Sequence, residues 1–554
     1  MSSYDLKSVK MPRLTGLGLR VFVRLLESPA TRWLLIPGLL RQGGIVGLRE
    51  LVIEEEPTFR PHLLGVTAST APIDLSRLCQ RGLRGFAFTT VADYAKAYRS
   101  GATDPGRAAE RVLQAIKDSD AHEPPLRAII ACNRDDVMAQ ARASAKRFRE
   151  GKPLSLFDGV PVAVKDEVDM VPYGTTVGTR FLGRSPARED STVVARMRAG
   201  GALLIGKANM HEIGIGVTGL NPHHGVARNP YNTLHYTGGS SSGSAASVAA
   251  GLCPVAISAD AGGSIRIPSA FCGMVGLKPT YSRVSEFGAA PLCWSLAHLG
   301  PIAATTHDAA LMYATIAGPD PKDPATLGQP PLTLEGFDNV DLSGLTLGIY
   351  PPWFEHASTP MVQECRKMLR RLESMGAQVA EVEIPQLEGT RVAHLITIAS
   401  EMFAALVQYY DEHHREYGLD VRTNLALARS FTASDYIQAQ RVRTRTTANL
   451  NRALEKVNAI VTPTTGCTAP AIAPDALGGE SDLTMLMEIM RFAPIANLTG
   501  HPAISFPAGY DSDGLPVGFQ AIGRPWEEHV LLRLANAAEQ LVERRAPQMH
   551  FKIL

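Results

Sequence analysis

Residues 237–280 constrain the fold most strongly, because they hold two Gly-Gly-Ser turns around one helix–strand unit. The turns are residues 238–240 and 262–264, with a small-residue helix predicted at 244–251 and an apolar strand at 253–258. Glycine reaches backbone conformations closed to other residues, so such a turn can direct several N–H groups and one hydroxyl at one point. Those groups are what a site needs to attack a carbonyl and to stabilise the resulting oxyanion.

Helix and strand patterns alternate along much of the chain and predict an α/β fold. Apolar stripes at helical spacing predict helices, and short apolar runs bounded by turns predict strands. The predicted helices include residues 191–199 and 527–542. The predicted strands include residues 159–165, 202–205 and 458–465, and a hairpin of 503–509 with 516–522.

One lysine stands at the end of a predicted strand. In GVPVAVK, residues 159–165, Lys165 shares a face with the small residues Pro161 and Ala163. Ligands and catalytic groups of α/β sheets gather at the carboxyl ends of strands. Lys165 is therefore a candidate catalytic group.

The composition is that of a globular protein with a sizeable core, and the net charge does not favour a partner bound mainly by charge, such as nucleic acid. The chain has 554 residues, of which 45% are hydrophobic and 20% charged, and a formal net charge of +1. A charge this close to zero gives no basis for nucleic-acid binding. The seven cysteines are scattered without a C-x-x-C pair, which favours buried thiols in a reducing compartment. We therefore expect an intracellular protein, either cytoplasmic or peripherally associated with a membrane.

The N-terminal region is unusually apolar. Residues 14–53 combine a leucine- and valine-rich helix, ended by Pro29, with a second apolar patch around Trp33. Charges and prolines interrupt this region too often for a transmembrane span. Such a helix either packs against the protein body or lies in a membrane interface. A helix that caps an apolar substrate tunnel would do both. Residues 54–90 read as a proline-rich linker.

Other motif matches fail on their context. GALLIGKA, residues 201–208, ends in alanine where a phosphate loop needs Ser or Thr, and His211-Glu212 and His223-His224 lack metal-ligand spacing. We expect no metal site and no cofactor. Gly239 to Gly243 satisfies G-x-S-x-G, so Ser241 is an alternative nucleophile. It would need a histidine and an acid as partners.

The remaining groups can carry out acyl transfer without a histidine. Ser264 is a hydroxyl whose turn offers the N–H groups of Ala261, Gly262, Gly263 and Ser264 itself as an oxyanion hole. A relay from Ser264 through Ser240 to a neutral Lys165 would activate the nucleophile and later protonate the leaving amine. A dry site would favour the neutral lysine, since desolvation disfavours the ammonium form.

At these residues the sequence resembles the amidase signature family. GVPVAVKD, TGGSSSGSAA and DAGGSIRIPSAFCGMVGLKPT match its Lys–Ser–Ser motifs, and the match extends from about residue 91 to the end. The resemblance implies Ser264 as nucleophile, Ser240 as bridging serine, Lys165 as base and a cis peptide before Ser240. It also implies a large mixed β-sheet covered by helices on both faces. Residues 89–554 would form the catalytic domain, and residues 1–88 a helical extension and linker.

A narrower resemblance is to the plant-type fatty acid amide hydrolases. It is carried by VKMPRLTGLGLRVFVRLLESP, KDEVDMVPYGTTVGT, RSFTASDYIQAQ, VTPTTGCTAPAIAPDAL and MRFAPIANLTGHPAIS. This family implies hydrolysis of N-acylethanolamines and primary fatty amides, a homodimer and peripheral membrane contact. The sequence departs from the family at Ala259 and Ala261, which flank Asp260, and at Ser282, where glycine is usual.

Other functions are compatible with the same motifs. A general amidase for small or aryl amides would share the triad but have a different pocket. An amidotransferase subunit is disfavoured by the apolar N-terminal extension. A catalytically inactive lipid-binding protein is disfavoured because all three triad positions are intact.

Overall fold

Short runs of valine, leucine and isoleucine form a mixed sheet of eleven strands at the centre of the protein. The structure is a computed structural model that describes residues 4–61 and 83–554. The strands of these residues are β1 (Leu14–Thr15), β2 (Ile129–Ala131), β3 (Pro161–Lys165), β4 (Leu203–Ala208), β5 (Arg228–Asn229), β6 (Asn232–Tyr236), β7 (Val255–Ala259), β8 (Val275–Lys278), β9 (Leu299–Ala303), β10 (Thr346–Ile349), β11 (Gln378–Glu381), β12 (Ala459–Pro463), β13 (Glu480–Ser481), β14 (Ala503–Tyr510) and β15 (Pro516–Gly523).

The sheet order places β3 and β7 side by side and parallel. The full order is β11-β10-β12-β15-β14-β8-β9-β7-β3-β4-β2, and two small sheets pair β1 with β13 and β5 with β6. In the register of β3 and β7, Val162 lies opposite Val255 and Val164 opposite Ile257. The carboxyl ends of parallel strands meet at one edge, so Lys165 and the turn after Ala259 lie at the same edge.

Helices flank this sheet. They are α1 (Gly16–Glu27), α2 (Arg32–Gln42), α3 (Ile45–Glu50), α4 (Val91–Ser100), α5 (Pro105–Ala121), α6 (Arg134–Arg149), α7 (Thr192–Ala199), α8 (Ser242–Ala249), α9 (Arg266–Phe271), α10 (Thr306–Ile316), α11 (Pro351–Phe354), α12 (Thr359–Ser374), α13 (Leu387–His413), α14 (Leu419–Ala428), α15 (Ala433–Leu454), α16 (Leu483–Met490), α17 (Pro494–Thr499) and α18 (Glu528–Glu539). The expected α/β architecture with a large mixed sheet is confirmed. The helices predicted at 191–199 and 527–542 and the C-terminal hairpin are present as α7, α18 and β14–β15.

Helix α13, with 27 residues, is the longest helix of the described residues. By length and composition, the described segment Leu387–Glu416 could cross a membrane. Half of its apolar window is buried inside the protein, and α13 packs against α15 and α17. These contacts identify it as a core helix.

The N-terminal residues fold as three helices that are fastened to the protein body. Arg13 pairs with Asp475 at 2.6 Å and Glu480 at 2.5 Å, and Arg422 pairs with Glu27 at 2.5 Å. Helix α1 buries one face and exposes another; its buried residues are Leu19, Val23 and Leu26. Packing against the body, one of the two expected placements, is therefore confirmed. Much of the predicted linker lies outside the described residues, and the boundary at residue 88 stays a prediction.

The cysteines are free thiols in the described part of the chain. Cys253, Cys272, Cys293 and Cys365 are buried as expected, Cys467 is partly buried and Cys132 is exposed. Cys79 lies outside the described residues. Burial raises the pKa of the Cys253 thiol to about 12, which keeps it protonated and unreactive.

Candidate active site

Lys165 and Ser240 are in direct contact at the catalytic edge of the sheet. Lys165 Nζ lies 2.7 Å from Ser240 Oγ and 3.3 Å from the carbonyl oxygen of Ala259. Both side chains are almost fully buried. The strand end therefore holds the lysine rigidly against the first Gly-Gly-Ser turn.

The backbone of that turn is fixed from both sides. The Gly239–Ser240 peptide is cis, as the resemblance implies. The carbonyl of Ser240 accepts hydrogen bonds from the N–H groups of His211 at 3.0 Å and Ser242 at 2.9 Å. Gly238 has φ +75°, and a Cβ there would lie 3.0 Å from Pro268 Cα, so glycine is required.

Ser264 is on the second turn, which contacts the first turn, and it faces a cavity. Its carbonyl accepts a hydrogen bond from the N–H of Ser241 at 3.4 Å, which joins the two turns. None of the hydrogen bonds found among residues 4–61 and 83–554 uses the Ser264 hydroxyl, and Ser264 lines the cavity wall. The second turn therefore presents a hydroxyl to a ligand.

An ion pair braces the loop that carries Ser264. Arg266 donates to Asp260 from Nε at 3.0 Å and from Nη2 at 3.1 Å, and both side chains are fully buried. Burial raises the pKa of Asp260, but the Arg266 charge and the hydrogen bonds from Arg266 and Asn497 outweigh it and hold that pKa well below its usual range. Asp260 is thus ionised and fixes the loop geometry.

The Asp260 carboxylate also accepts a hydrogen bond from one of the four predicted oxyanion donors. The N–H of Gly263 donates to Asp260 Oδ1 at 2.7 Å. This N–H already has an acceptor, so the prediction that Gly263 donates to the oxyanion is wrong. Its N–H makes a structural hydrogen bond instead. The N–H groups of Ala261, Gly262 and Ser264 stay the predicted donors.

His394, on α13, holds the loop from the other side. Its Nε2 lies 2.8 Å from the carbonyl oxygen of Ala261, and a Cβ on Gly262 would meet its ring at 2.8 Å. Burial lowers the pKa of His394 to about 4, so the imidazole is neutral at pH 7. A carbonyl only accepts, so the neutral ring must carry its proton on Nε2.

The alternative nucleophile has a different environment. Ser241 is fully buried, and its hydroxyl donates to the carbonyl of Ala259 at 3.1 Å. Lys165 contacts Ser240 instead. The two histidine motifs also have structural partners: His223 pairs with Glu212 at 2.7 Å and His211 with Asp420 at 2.8 Å.

Two residues of this site were not identified from the sequence. Glu167 Oε2 lies 2.8 Å from Lys165 Nζ, and its position two residues after the lysine was the available signal. His394 gave no signal, because a single histidine in an apolar helix is usually a core residue.

The cavity that contains Ser264 is large and mostly apolar. Its volume is about 550 Å³, within the range of ligand-binding pockets. Gly214, Gly262 and Ser264 line its catalytic end. Its apolar walls include Val9, Met11, Phe22, Leu39, Leu395, Ile398, Leu427, Leu486 and Met490.

Comparisons with known proteins agree with this geometry. The profile of the Amidase family matches residues 110–532. The "Fatty acid amide hydrolase" of Oryza sativa subsp. indica is 42% identical over 586 aligned positions, covering 100% of this chain and 96% of the relative. That of Arabidopsis thaliana is 40% identical with the same coverage. The native peptide amidase from Stenotrophomonas maltophilia superposes with a TM-score of 0.71 at 30% identity, covering 84% of this chain and 98% of its own.

The sheet, the paired serine turns and the family match lead to one assignment. The protein is an enzyme that hydrolyses amide carbon–nitrogen bonds. The chain belongs to the amidase family.

Proposed function

We propose that this enzyme is a fatty acid amide hydrolase that releases a fatty acid and an amine from N-acylethanolamines and primary fatty amides. The observation that carries the proposal is the apolar cavity of about 550 Å³ that reaches Ser264. An apolar wall of this extent removes an acyl chain from water, at about 25 cal/mol for each Å² buried. The full-length similarity to enzymes of that name supports the same substrate class.

The N-terminal region contributes to this cavity. Residues of the extended segment before α1, together with Phe22 of α1 and Leu39 of α2, form part of its wall. A short amide would leave most of that wall in contact with water. The apolar extension therefore favours a long acyl chain.

The proposed reaction uses the side chains of Lys165, Ser240 and Ser264. Neutral Lys165 takes the proton of Ser240, Ser240 takes that of Ser264, and Ser264 Oγ bonds to the amide carbon. The oxyanion is stabilised by N–H groups of the second turn. The proton returns from Lys165 through Ser240 to the amine as the carbon–nitrogen bond breaks, leaving an acyl group on Ser264. Water, activated by the same relay, releases the fatty acid.

The exposed face of the N-terminal helices favours peripheral membrane contact. The side chains of Leu17 and Trp33 are 77% and 65% exposed, and Leu34 and Val21 are further exposed apolar residues of the same two helices. Exposed arginines at positions 20, 24, 32 and 41 suit anionic lipid headgroups. Because α1 and α2 also line the cavity, a lipid substrate could pass from the bilayer to Ser264. A cytoplasmic or membrane-associated location and a homodimer complete the proposal.

An acyl-length comparison tests the substrate class. We expect kcat/KM for a long-chain N-acylethanolamine and oleamide to exceed that for a short aryl amide by at least about tenfold, from the added apolar contact. Ile398→Trp, which fills the cavity, should reduce turnover of the long substrates most. The control is Val407→Trp, on the same helix with an exposed side chain. Equal or better turnover of the aryl amide would favour the general amidase.

A further inference from the structure

The ammonium group of Lys165 has three acceptors around it. They are Ser240 Oγ at 2.7 Å, Glu167 Oε2 at 2.8 Å and the Ala259 carbonyl oxygen at 3.3 Å. A lysine ammonium has three N–H donors, whereas the neutral amine has two and one lone pair. When Lys165 acts as a base, the lone pair must face Ser240, so the two N–H groups go to Glu167 and Ala259.

The backbone holds Glu167 in place for this contact. Its carbonyl accepts a hydrogen bond from the N–H of Ala290 at 2.8 Å, and Val168 N–H donates to the Lys165 carbonyl at 3.1 Å. The Glu167 side chain is 9% exposed. A Cβ added at Gly214 would lie 3.8 Å from Glu167 Oε2 and 3.5 Å from Ser240 Oγ, so both atoms face the same cavity-lining glycine.

We propose that Glu167 is a positioning residue for the Lys165 base: its carboxylate orients the neutral amine toward Ser240, holds the ammonium that forms when the proton arrives, and thereby sets the pH range of activity. The inference rests on the Lys–Ser–Ser mechanism of the proposed function. It does not depend on which amide is the substrate.

The charges around Lys165 and Glu167 support Glu167 as the main influence on the Lys165 amine. Burial raises the pKa values of Glu286 and Cys293 well above their ordinary values, which favours their neutral forms. Burial lowers the pKa of Lys207, while nearby acids oppose this shift. The titratable or charged groups that interact with Glu167 are Lys165 of β3, Lys207 of β4, and Glu286 and Cys293 of the segment before β9. Asp166 and Asp169, in the loop after β3, act on Lys207.

The direction of the pH effect follows from the sign of the charge. An anion within about 4 Å of a lysine favours its ammonium form. Removing such an anion shifts the balance toward the neutral amine. The same removal leaves the newly formed ammonium without its partner, which slows proton transfer.

The rate of labelling by a fluorophosphonate probe, measured from pH 5 to pH 10, tests this role. Labelling requires activation of Ser264 but no particular amide, so its outcome is separate from that of the acyl-length assay. The labelling rate should rise with pH to a plateau. For Glu167→Gln, we expect this rise, the acidic limb of the profile, to move down by about 1–3 pH units. We also expect the plateau rate to fall about tenfold or more. The matched control is Glu539→Gln. Glu539 is a buried glutamate of α18 that pairs with Arg544 at 3.5 Å. Its limb should stay at the wild-type pH.

A second variant covers the case in which Glu167→Gln does not fold, as judged by thermal unfolding. Glu167→Asp keeps the charge but moves it away from Lys165. Its limb should lie below that of wild type, and its plateau should be lower. A limb at the wild-type pH in Glu167→Gln, or wild-type values of both limb and plateau in Glu167→Asp, would overturn the proposal.

Discussion

His394 Nε2 lies 2.8 Å from the carbonyl oxygen of Ala261, so core helix α13 is bonded directly to the loop that carries Ser264. The contact links two segments 133 residues apart in the sequence. Because the loop also supplies the predicted oxyanion donors, its position relative to the substrate carbonyl depends on this histidine.

Replacing His394 by phenylalanine should reduce kcat more than it changes KM. The ring volume is retained, but the donor to Ala261 is lost, and small displacements of oriented groups cost roughly 10–100-fold in rate. Steady-state kinetics on the long-chain amide give both constants. His394→Gln, which keeps an N–H donor, should retain more of the activity. An unchanged kcat in the phenylalanine variant would show that the bond is dispensable.

The same histidine contributes to a loss of stability at low pH. Burial lowers the pKa of His394 to about 4 and that of His501 to about 3. Between these values and about 6.5, the unfolded chain binds protons that the folded chain does not. Stability therefore falls as the pH drops from 6.5 toward 4.

Urea unfolding at pH 7 and pH 5 measures this effect. Each histidine should lower the free energy of unfolding by on the order of 2 kcal/mol at pH 5. His394→Gln should show a correspondingly smaller difference between the two pH values. Equal pH dependence in wild type and variant would contradict the assignment of a depressed pKa.

Truncating Arg266 should destabilise the protein strongly. It leaves Asp260 as a buried charge without its main partner, which costs about 3–5 kcal/mol. Urea unfolding of Arg266→Ala at pH 7 measures the loss. Arg107→Ala is the control, because its pairing with Asp104 is exposed and an exposed pair contributes about 1 kcal/mol or less. Similar losses in the two variants would refute the bracing role.

The N-terminal apolar surface predicts vesicle binding. The double substitution Leu17→Ser with Trp33→Ser should reduce the fraction of enzyme that floats with anionic vesicles, while activity on a dispersed substrate is kept. Leu154→Ser is the control, since Leu154 is 55% exposed and lies in the loop between α6 and β3. Equal flotation of wild type and the double variant would contradict membrane contact through these helices.

Local patterns were sufficient to predict the main elements of the fold and the Lys165–Ser240 contact. Strand β3, helix α8 and strand β7 are continuous segments, and the parallel pairing of β3 with β7 brings their ends together. The contacts of His394 could not be predicted in this way, because they depend on how α13 packs against a loop distant in sequence. Glu167 lies only two residues after Lys165, but the contact of its carboxylate with Nζ depends on the loop conformation after β3.

Gly263 and Ser282 also show which features cannot be predicted from local sequence patterns. The turn sequence predicts that Gly263 donates to an oxyanion, but the Asp260 carboxylate accepts its N–H, and this contact depends on how the Asp260 side chain folds back over the turn. Ser282, where glycine is usual in the family, has φ +64°, so the backbone keeps the left-handed conformation without the residue that favours it. Nothing in the structure explains why serine is present there.

Identification of the labelled residue tests the central claim most directly. After reaction with a fluorophosphonate probe, peptide mass spectrometry should place the adduct on Ser264, and Ser264→Ala should abolish both labelling and amide hydrolysis. Lys165→Ala should be severely impaired near neutral pH. An adduct on Ser241, or persistent labelling and turnover in Ser264→Ala, would contradict the account.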